Sequence, residues 1–327
     1  MATATAGSVL DVRGLEVEYA TPRGKLLAVK GVDLEVDPGE IVGLIGESGS
    51  GKTTAAMACL RLLPGPGRVL GGAAVLNGGV DLLSLDEQQL RRIRWKEVAL
   101  IPQGALNSLN PVMRVRTQIL ETIRVHEGRR PKDDLDERVV RLFNDVGLPE
   151  RALRMYPHEL SGGMKQRVCI AMAIALRPSL IVADEPTSAL DVIVQRVVAE
   201  TLLEIKEKMG VSILLIGHDI GLMAQLADRV SVMYGGRIVE SGPTAEVLNR
   251  PRHPYTQLLI DCVPAIGRPA KWDPSGAAMR NLVADRGCPF SPRCRYAMQR
   301  CVDEVPALAG EEGHLSACFL DSGAEKE

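Results

Sequence analysis

The chain has 327 residues, a formal net charge of -2 and a hydrophobic fraction of 46%. That length suits one large α/β domain with a smaller companion, and the near-neutral charge offers no bulk attraction to nucleic acid or anionic lipid. The opening Met1-Ala2-Thr3-Ala4-Thr5-Ala6 lacks the basic-then-apolar pattern of a signal peptide, and no apolar run approaches the ~18 residues of a membrane helix. The expectation is a soluble cytoplasmic protein that meets a membrane only through a partner. Seven cysteines in such a compartment argue against a disulfide framework, and there is no internal repeat.

Residues 8–36 alternate apolar and polar side chains around Thr21-Pro22-Arg23-Gly24, which predicts an antiparallel hairpin. The run Ile41-Val42-Gly43-Leu44-Ile45 predicts a buried strand, and Thr54 to Leu60 the start of a helix. Between them, Gly46-Glu47-Ser48-Gly49-Ser50-Gly51-Lys52-Thr53-Thr54 fits the Gly-rich phosphate loop that leads from strand to helix. Glycine lets the backbone turn its N–H groups inward, and a helix N-terminus favours anions. Lys52 is then expected at the β and γ phosphates of a nucleotide, with the Thr53 hydroxyl as a Mg²⁺ ligand.

Residues 97–101, 180–184, 211–216 and 229–234 read as further buried strands alternating with helices, hence a mostly parallel sheet. Roughly 104–165 lacks strand runs and has helical periodicity, broken at Asn110-Pro111 and by the charged stretch Arg129 to Arg138, which reads as a solvated face. This predicts an inserted helical subdomain. In Leu160-Ser161-Gly162-Gly163-Met164, Ser161 suits the N-cap of a helix running to Leu176, and Gly162 and Gly163 leave its first N–H groups sterically open. A second anion-binding helix start in a chain with one phosphate loop would face the γ-phosphate of a nucleotide held by another subunit.

Leu180-Ile181-Val182-Ala183-Asp184-Glu185 predicts a buried strand ending in two carboxylates that alternation sends to opposite faces. Asp184 can hold Mg²⁺ while Glu185 polarises an attacking water. After Gly242-Pro243 the pattern changes, and past about 263 it becomes rich in Pro, Gly and Cys, as in a small appended module with little regular structure.

The phosphate loop, the strand ending Asp184-Glu185 and Leu160-Ser161-Gly162-Gly163 together resemble, in order and spacing, an ABC transporter ATPase subunit over residues 8–250. The resemblance implies a P-loop NTPase of ABC type: a mixed sheet core, an antiparallel β subdomain and a helical subdomain inserted at about 104–175. The ATP-binding domain would span 8–255 and the Cys-rich C-terminal module 256–327. It also implies roles for single residues. Gln103 matches the glutamine that touches Mg²⁺ and water and relays to the membrane subunit, and His218 the switch histidine at the γ-phosphate. Asp191 matches the aspartate that organises the dimer interface, and Tyr19 the aromatic that stacks on adenine, although Tyr19 shares a strand face with Leu15 and Val17. Ser48, Gly49, Ser50, Gly51 and Thr54 would line the phosphates with Gly46, Lys52 and Thr53. Met164 stands where many members have Gln.

The segments Gly104 to Pro111, His253-Pro254-Tyr255-Thr256 and Cys288-Pro289-Phe290-Ser291-Pro292-Arg293-Cys294 look like the oligopeptide/dipeptide/nickel importer branch. That implies ATP hydrolysis driving peptide import at the cytoplasmic face of the membrane, with nickel or oligosaccharides as alternative cargo. The implied partners are two transmembrane permease subunits, a second ATPase subunit and, indirectly, an extracytoplasmic solute-binding protein. Cys288, Cys294, Cys301 and Cys318 lack the close pair common in zinc sites and the spacing of ferredoxin loops. Four thiolates can still enclose a metal, with Arg286, Arg293, Arg295 and Arg300 expected to stabilise them. The resemblance implies a 4Fe-4S cluster; structural zinc and free thiols remain alternatives. Two other functions are open. A soluble ABC-type ATPase acting on nucleic acid or ribosomes would favour long coiled coils or two cassettes per chain, neither of which is present. A cluster protein with an incidental ATPase is the other.

Overall fold

The computed structural model describes residues 7–22, 24–104, 108–128, 131–262, 283–284, 286–311 and 313–320. Ala105-Leu106-Asn107 of the motif after Gln103, Arg129-Arg130 and residues 263–282 of the expected module lie outside the described residues. The chain divides into two compact units. One holds residues up to Asp11, Glu35–Ile41 and Val75–Ile216. The other holds Val12–Leu34, Val42–Ala74 and residues from Gly217 on.

In the second unit the hairpin forms as β1 (Leu10–Thr21) and β2 (Gly24–Val36), both of which extend into the first unit. Strand β3 (Ile41–Ile45) is wholly buried and leads through the phosphate loop into α1 (Lys52–Cys59). A strand the composition hides, β4 (Gly67–Leu76), lies on β1 on the side away from β2. Its Gly71-Gly72 pair looks like a turn, but Gly72 serves close strand approach. A Cβ on Gly72 would stand 2.7 Å from the carbonyl oxygens of Arg13 and Gly14.

In the first unit β5 (Val80–Asp81) pairs antiparallel with the end of β4, Val75 opposite Asp81, as the last strand of the sheet ordered β2-β1-β4-β5. After α2 (Glu87–Ile93) come the parallel strand β6 (Val98–Ile101), then α3 (Val115–Glu127) and α4 (Lys132–Asp145). Val115, Ile119, Leu120 and Ile123 of α3 and Leu135, Val139, Leu142 and Phe143 of α4 are buried at helical spacing, so each helix presents one apolar stripe. Helix α5 (Gly162–Ala173) packs against them. It stops three residues short of the expected Leu176, because Pro178 disfavours helix at Arg177, which takes φ 55°. The Arg138 guanidinium bonds the freed Ala175 carbonyl and also Glu127 Oε2 at 2.8 Å. Strand β7 (Leu180–Asp184), α6 (Val192–Met209) and β8 (Ser212–Gly217) follow, with β7 between β6 and β8, all parallel.

Past β8, the second unit continues with α7 (Ile220–Leu226), β9 (Arg229–Tyr234), β10 (Arg237–Pro243), α8 (Thr244–Asn249) and α9 (Pro254–Asp261). The last elements are α10 (Gln299–Asp303), β11 (Ala309–Glu311) and β12 (His314–Ser316). Strand β9 runs parallel to β3 and antiparallel to β10, so this sheet is mixed. The chain's C-terminal region is less irregular than expected, since β12 pairs antiparallel with β10 and β11 with β12. A bulge between Ile238 and Glu240 breaks the alternation of β10, and Glu240 is wholly buried. Its carboxylate accepts from the N–H groups of Arg252 (2.8 Å) and His253 (2.9 Å) and lies 2.7 Å from His314 Nε2. Among the described residues no helix is long and apolar enough to cross a membrane.

Candidate functional site

In the second unit, Gly46 to Gly51 fold into the turn that the phosphate loop demands. Gly46, Gly49 and Gly51 all have positive φ, and a Cβ on Gly46 would meet the Met233 carbonyl oxygen at 2.2 Å, so only glycine fits there. Helix α1 starts from Gly51 at φ 106° with no side-chain cap, which leaves its first N–H groups to an incoming anion. Lys52 is 6% exposed, and its ammonium donates to the carbonyls of Gly46 (2.8 Å) and Glu47 (2.9 Å). The cation is thus held over the loop's own backbone. Ser48, Gly49 and Thr53 are exposed, Thr54 is half-buried and Ser50 is buried.

Tyr19 is half-buried, whereas Leu15 and Val17 on the same face are fully covered. Its ring lies over Gly67, where a Cβ would approach Cε1 to 2.8 Å. His218 immediately follows β8 and is exposed; beside it Asp219 caps α7, accepting from Leu222 N–H at 3.0 Å.

In the first unit, β7 ends at Asp184, which is 1% exposed. The strand alternation expected to separate the two carboxylates stops there. Glu185 instead takes φ 45°, a conformation that costs a non-glycine residue energy, and its N–H still bonds the Ile216 carbonyl at 2.9 Å. This turn brings the Glu185 carboxylate to Gln103, whose Nε2 donates to Oε2 at 3.0 Å. Two residues assigned separately from the sequence therefore meet. Asp191 caps α6, its Oδ1 accepting from Val194 N–H at 3.0 Å.

Ser161 caps α5, its Oγ accepting from Met164 N–H at 3.3 Å, and is itself exposed. Gly162 is half-buried. Gly163 is buried for a reason the sequence does not reveal: a Cβ there would stand 2.4 Å from Val194 Cγ1 of α6. Gly163 is required by helix packing.

Cys288, Cys294, Cys301 and Cys318 line one small cavity with His253, Phe290 and Phe319, and none of the four is in a disulfide. The space among them has room for about one water molecule. Among the described residues no group of three or more His, Cys, Asp or Glu side chains stands in position to hold a metal ion. At Cys288 and Cys294 burial outweighs the expected thiolate stabilisation by arginine. Burial pushes Cys288 up to about 11 and raises Cys294, with Arg295 opposing the latter only weakly. Arg293 and Arg300 are directed elsewhere, to Glu47 and Glu304. Glu47, Tyr255 and Arg293 form a polar cluster on the phosphate loop that sequence reasoning missed. The signal available was a carboxylate inside the loop and an arginine inside the cysteine motif.

A glycine cradle with a buried lysine and a strand-end acid bonded to a glutamine are the parts of a P-loop nucleotide hydrolase. Residues 29–188 match the family described as ABC transporter, and residues 239–301 the family described as oligopeptide/dipeptide transporter, C-terminal region. The oligopeptide transport ATP-binding protein OppD of Salmonella typhimurium is 41% identical over 324 residues, covering 96% of this chain and 94% of the relative. The dipeptide transport ATP-binding protein DppD of Escherichia coli is 42% identical, covering 95% and 96%. Among solved structures, the dimeric post-hydrolysis state of the ATP-binding cassette MJ0796 bound to ADP and Pi superposes with TM-score 0.64 at 26% identity, covering 72% of this chain and 98% of that one. The chain belongs to the ABC transporter ATP-binding proteins and is an ATPase.

Proposed function

We propose that the chain is the ATP-hydrolysing subunit of a peptide importer, working at the cytoplasmic face of the membrane with two permease subunits and a second ATPase subunit. The reading is carried by relatives of oligopeptide and dipeptide transport that match nearly the whole chain, the C-terminal region included. In it, residues 8–255 form the ATP-binding domain and 256–327 the appended module. Lys52 takes the phosphates together with Gly46, Ser48, Gly49, Ser50, Gly51, Thr53 and Thr54, and Tyr19 stacks on the adenine. Thr53, Asp184 and Gln103 are the residues that would hold Mg²⁺, whose chemistry is to neutralise phosphate charge. Glu185 orients and deprotonates the attacking water, with Gln103 holding its carboxylate. His218 reaches the γ-phosphate. Ser161, Gly162, Gly163 and Asp191 serve the nucleotide of the second ATPase subunit, so the triphosphate joins two subunits and its loss lets them part. A solute-binding protein outside the membrane delivers the peptide.

The four cysteines line one cavity and have the donor chemistry of a 4Fe-4S cluster, or of zinc as the alternative, but as they stand they are not placed to hold a metal; the cluster is proposed on donor type alone, and no step of hydrolysis is routed through it. Iron, sulfide and zinc assays on freshly purified protein test it, and protein with none of these would leave the cysteines as thiols.

The functional reading is tested by affinity purification of the tagged chain from solubilised membranes. Recovery of chains with multiple membrane spans supports it. Recovery with ribosomes or DNA and no membrane protein would replace the importer with a soluble ATPase.

A further inference from the structure

Glu47 is the second residue of the phosphate loop, and every polar group it carries is occupied. Its carboxylate receives both arms of the Arg293 guanidinium, Nη1 to Oε2 at 2.8 Å and Nη2 to Oε1 at 2.9 Å. Its N–H donates to the Tyr255 hydroxyl at 2.8 Å. Its carbonyl accepts from the Lys52 ammonium at 2.9 Å and from Ser50 N–H at 3.2 Å.

The outer half of this arrangement is built to stay in place. Tyr255 is wholly buried and Phe290 is 1% exposed. With Tyr234 they form a cluster whose ring centroids lie 4.5 to 5.4 Å apart. The Arg293 guanidinium lies 5.6 Å from the Tyr234 and Phe290 centroids, and Nη1 is also 3.3 Å from the Tyr234 hydroxyl. Its side chain is 10% exposed against 32% for Glu47. A bidentate guanidinium–carboxylate pair with little solvent around it is directional and weakly screened.

A carboxylate in a loop that binds a triphosphate needs explaining, since unpaired it would repel the ligand and pull Lys52 away from it. We propose that Arg293 is a positioning residue for the phosphate loop. It neutralises Glu47 and, with Tyr255, fixes the backbone carbonyl on which the Lys52 ammonium rests. The C-terminal region thereby sets the affinity of the loop for ATP without touching the nucleotide. The inference rests on the nucleotide reading of the site given above.

The test is Mg-ATP binding to the full chain by titration calorimetry, with E185Q as the background so that hydrolysis does not intervene. The expected dissociation constant rises roughly tenfold in R293Q, where Glu47 is left unpaired, and about threefold in R293K, which keeps the charge but lacks the fork. In E47Q/R293Q, which leaves no orphan carboxylate, it returns to within about threefold of the background. Equal binding by all the variants, or a double variant as weak as R293Q, overturns the proposal. Should R293Q not fold, R293K and the double variant decide: weaker binding by R293K at an unchanged melting temperature supports it, and unchanged binding in R293K overturns it. Failure of the E185Q background itself to bind Mg-ATP would instead sink the nucleotide reading.

Discussion

The side-chain amide of Gln103 donates to Glu185 Oε2 at 3.0 Å, joining the residues that follow two neighbouring parallel strands. A neutral donor of this kind orients a carboxylate without cancelling its charge. Glu185→Gln should retain ATP binding and lower the hydrolysis rate by on the order of a hundredfold to ten-thousandfold. The readout is phosphate release beside a binding titration, and full turnover by the variant would remove Glu185 from the chemistry. Gln103→Ala should lower the rate by a smaller factor with binding again preserved.

Gly163 is a packing residue of the α5–α6 interface. Gly163→Ala places a methyl group on Val194 Cγ1 and should cost about 1–3 kcal/mol of stability. Urea unfolding measures the loss, and Val194→Ala added to it should recover part. If the double variant is no more stable than Gly163→Ala, the two side chains do not meet as described.

His253 gives the fold an acid-sensitive point. It is 1% exposed, its Nδ1 accepts from Tyr255 N–H at 3.0 Å, and burial pushes its pKa from 6.5 down to about 4. Between those values the unfolded chain takes up a proton that the folded chain refuses, so stability falls as pH drops from 6.5 toward 4. The full loss is about 3 kcal/mol. His253→Asn keeps a side-chain acceptor for the helix start and should flatten this part of the stability–pH curve. Parallel curves for the two proteins would place the acid sensitivity elsewhere.

The cysteines should separate by reactivity. Burial pushes Cys59 and Cys169 up to about 12, while Cys262 is exposed. A thiol near 12 carries about a thousandfold less thiolate at pH 8 than one at the ordinary value of 9. Iodoacetamide at that pH should therefore label Cys262 first and leave Cys59 and Cys169 untouched until the chain unfolds, which peptide mass mapping would show directly.

Much of this is legible in the sequence because the informative segments are locally determined. A buried strand, a glycine turn and a helix start follow one another within Ile41 to Leu60, and the structure forms each in place. Strands at 98–101, 180–184 and 229–234 carry apolar runs that admit little else. What sequence does not reveal depends on long-range approach. Strand β4 is disguised by Gly71 and Gly72, and the proximity of β1 explains the second of them. Glu240 is buried because backbone N–H groups of residues 252 and 253 and the His314 ring reach it from elsewhere. Glu185 leaves the strand alternation by a left-handed residue that no periodicity encodes.

Strand β12 lies on β10 and carries β11 in turn, which is three exposed residues long. A sheet that ended at β10 would offer a raw row of amide and carbonyl groups to any other extended chain. The C-terminal strands act as a hem for that fabric. A chain cut before His314 would lose the finished border together with the ring that meets Glu240, and it should assemble edge to edge into insoluble material.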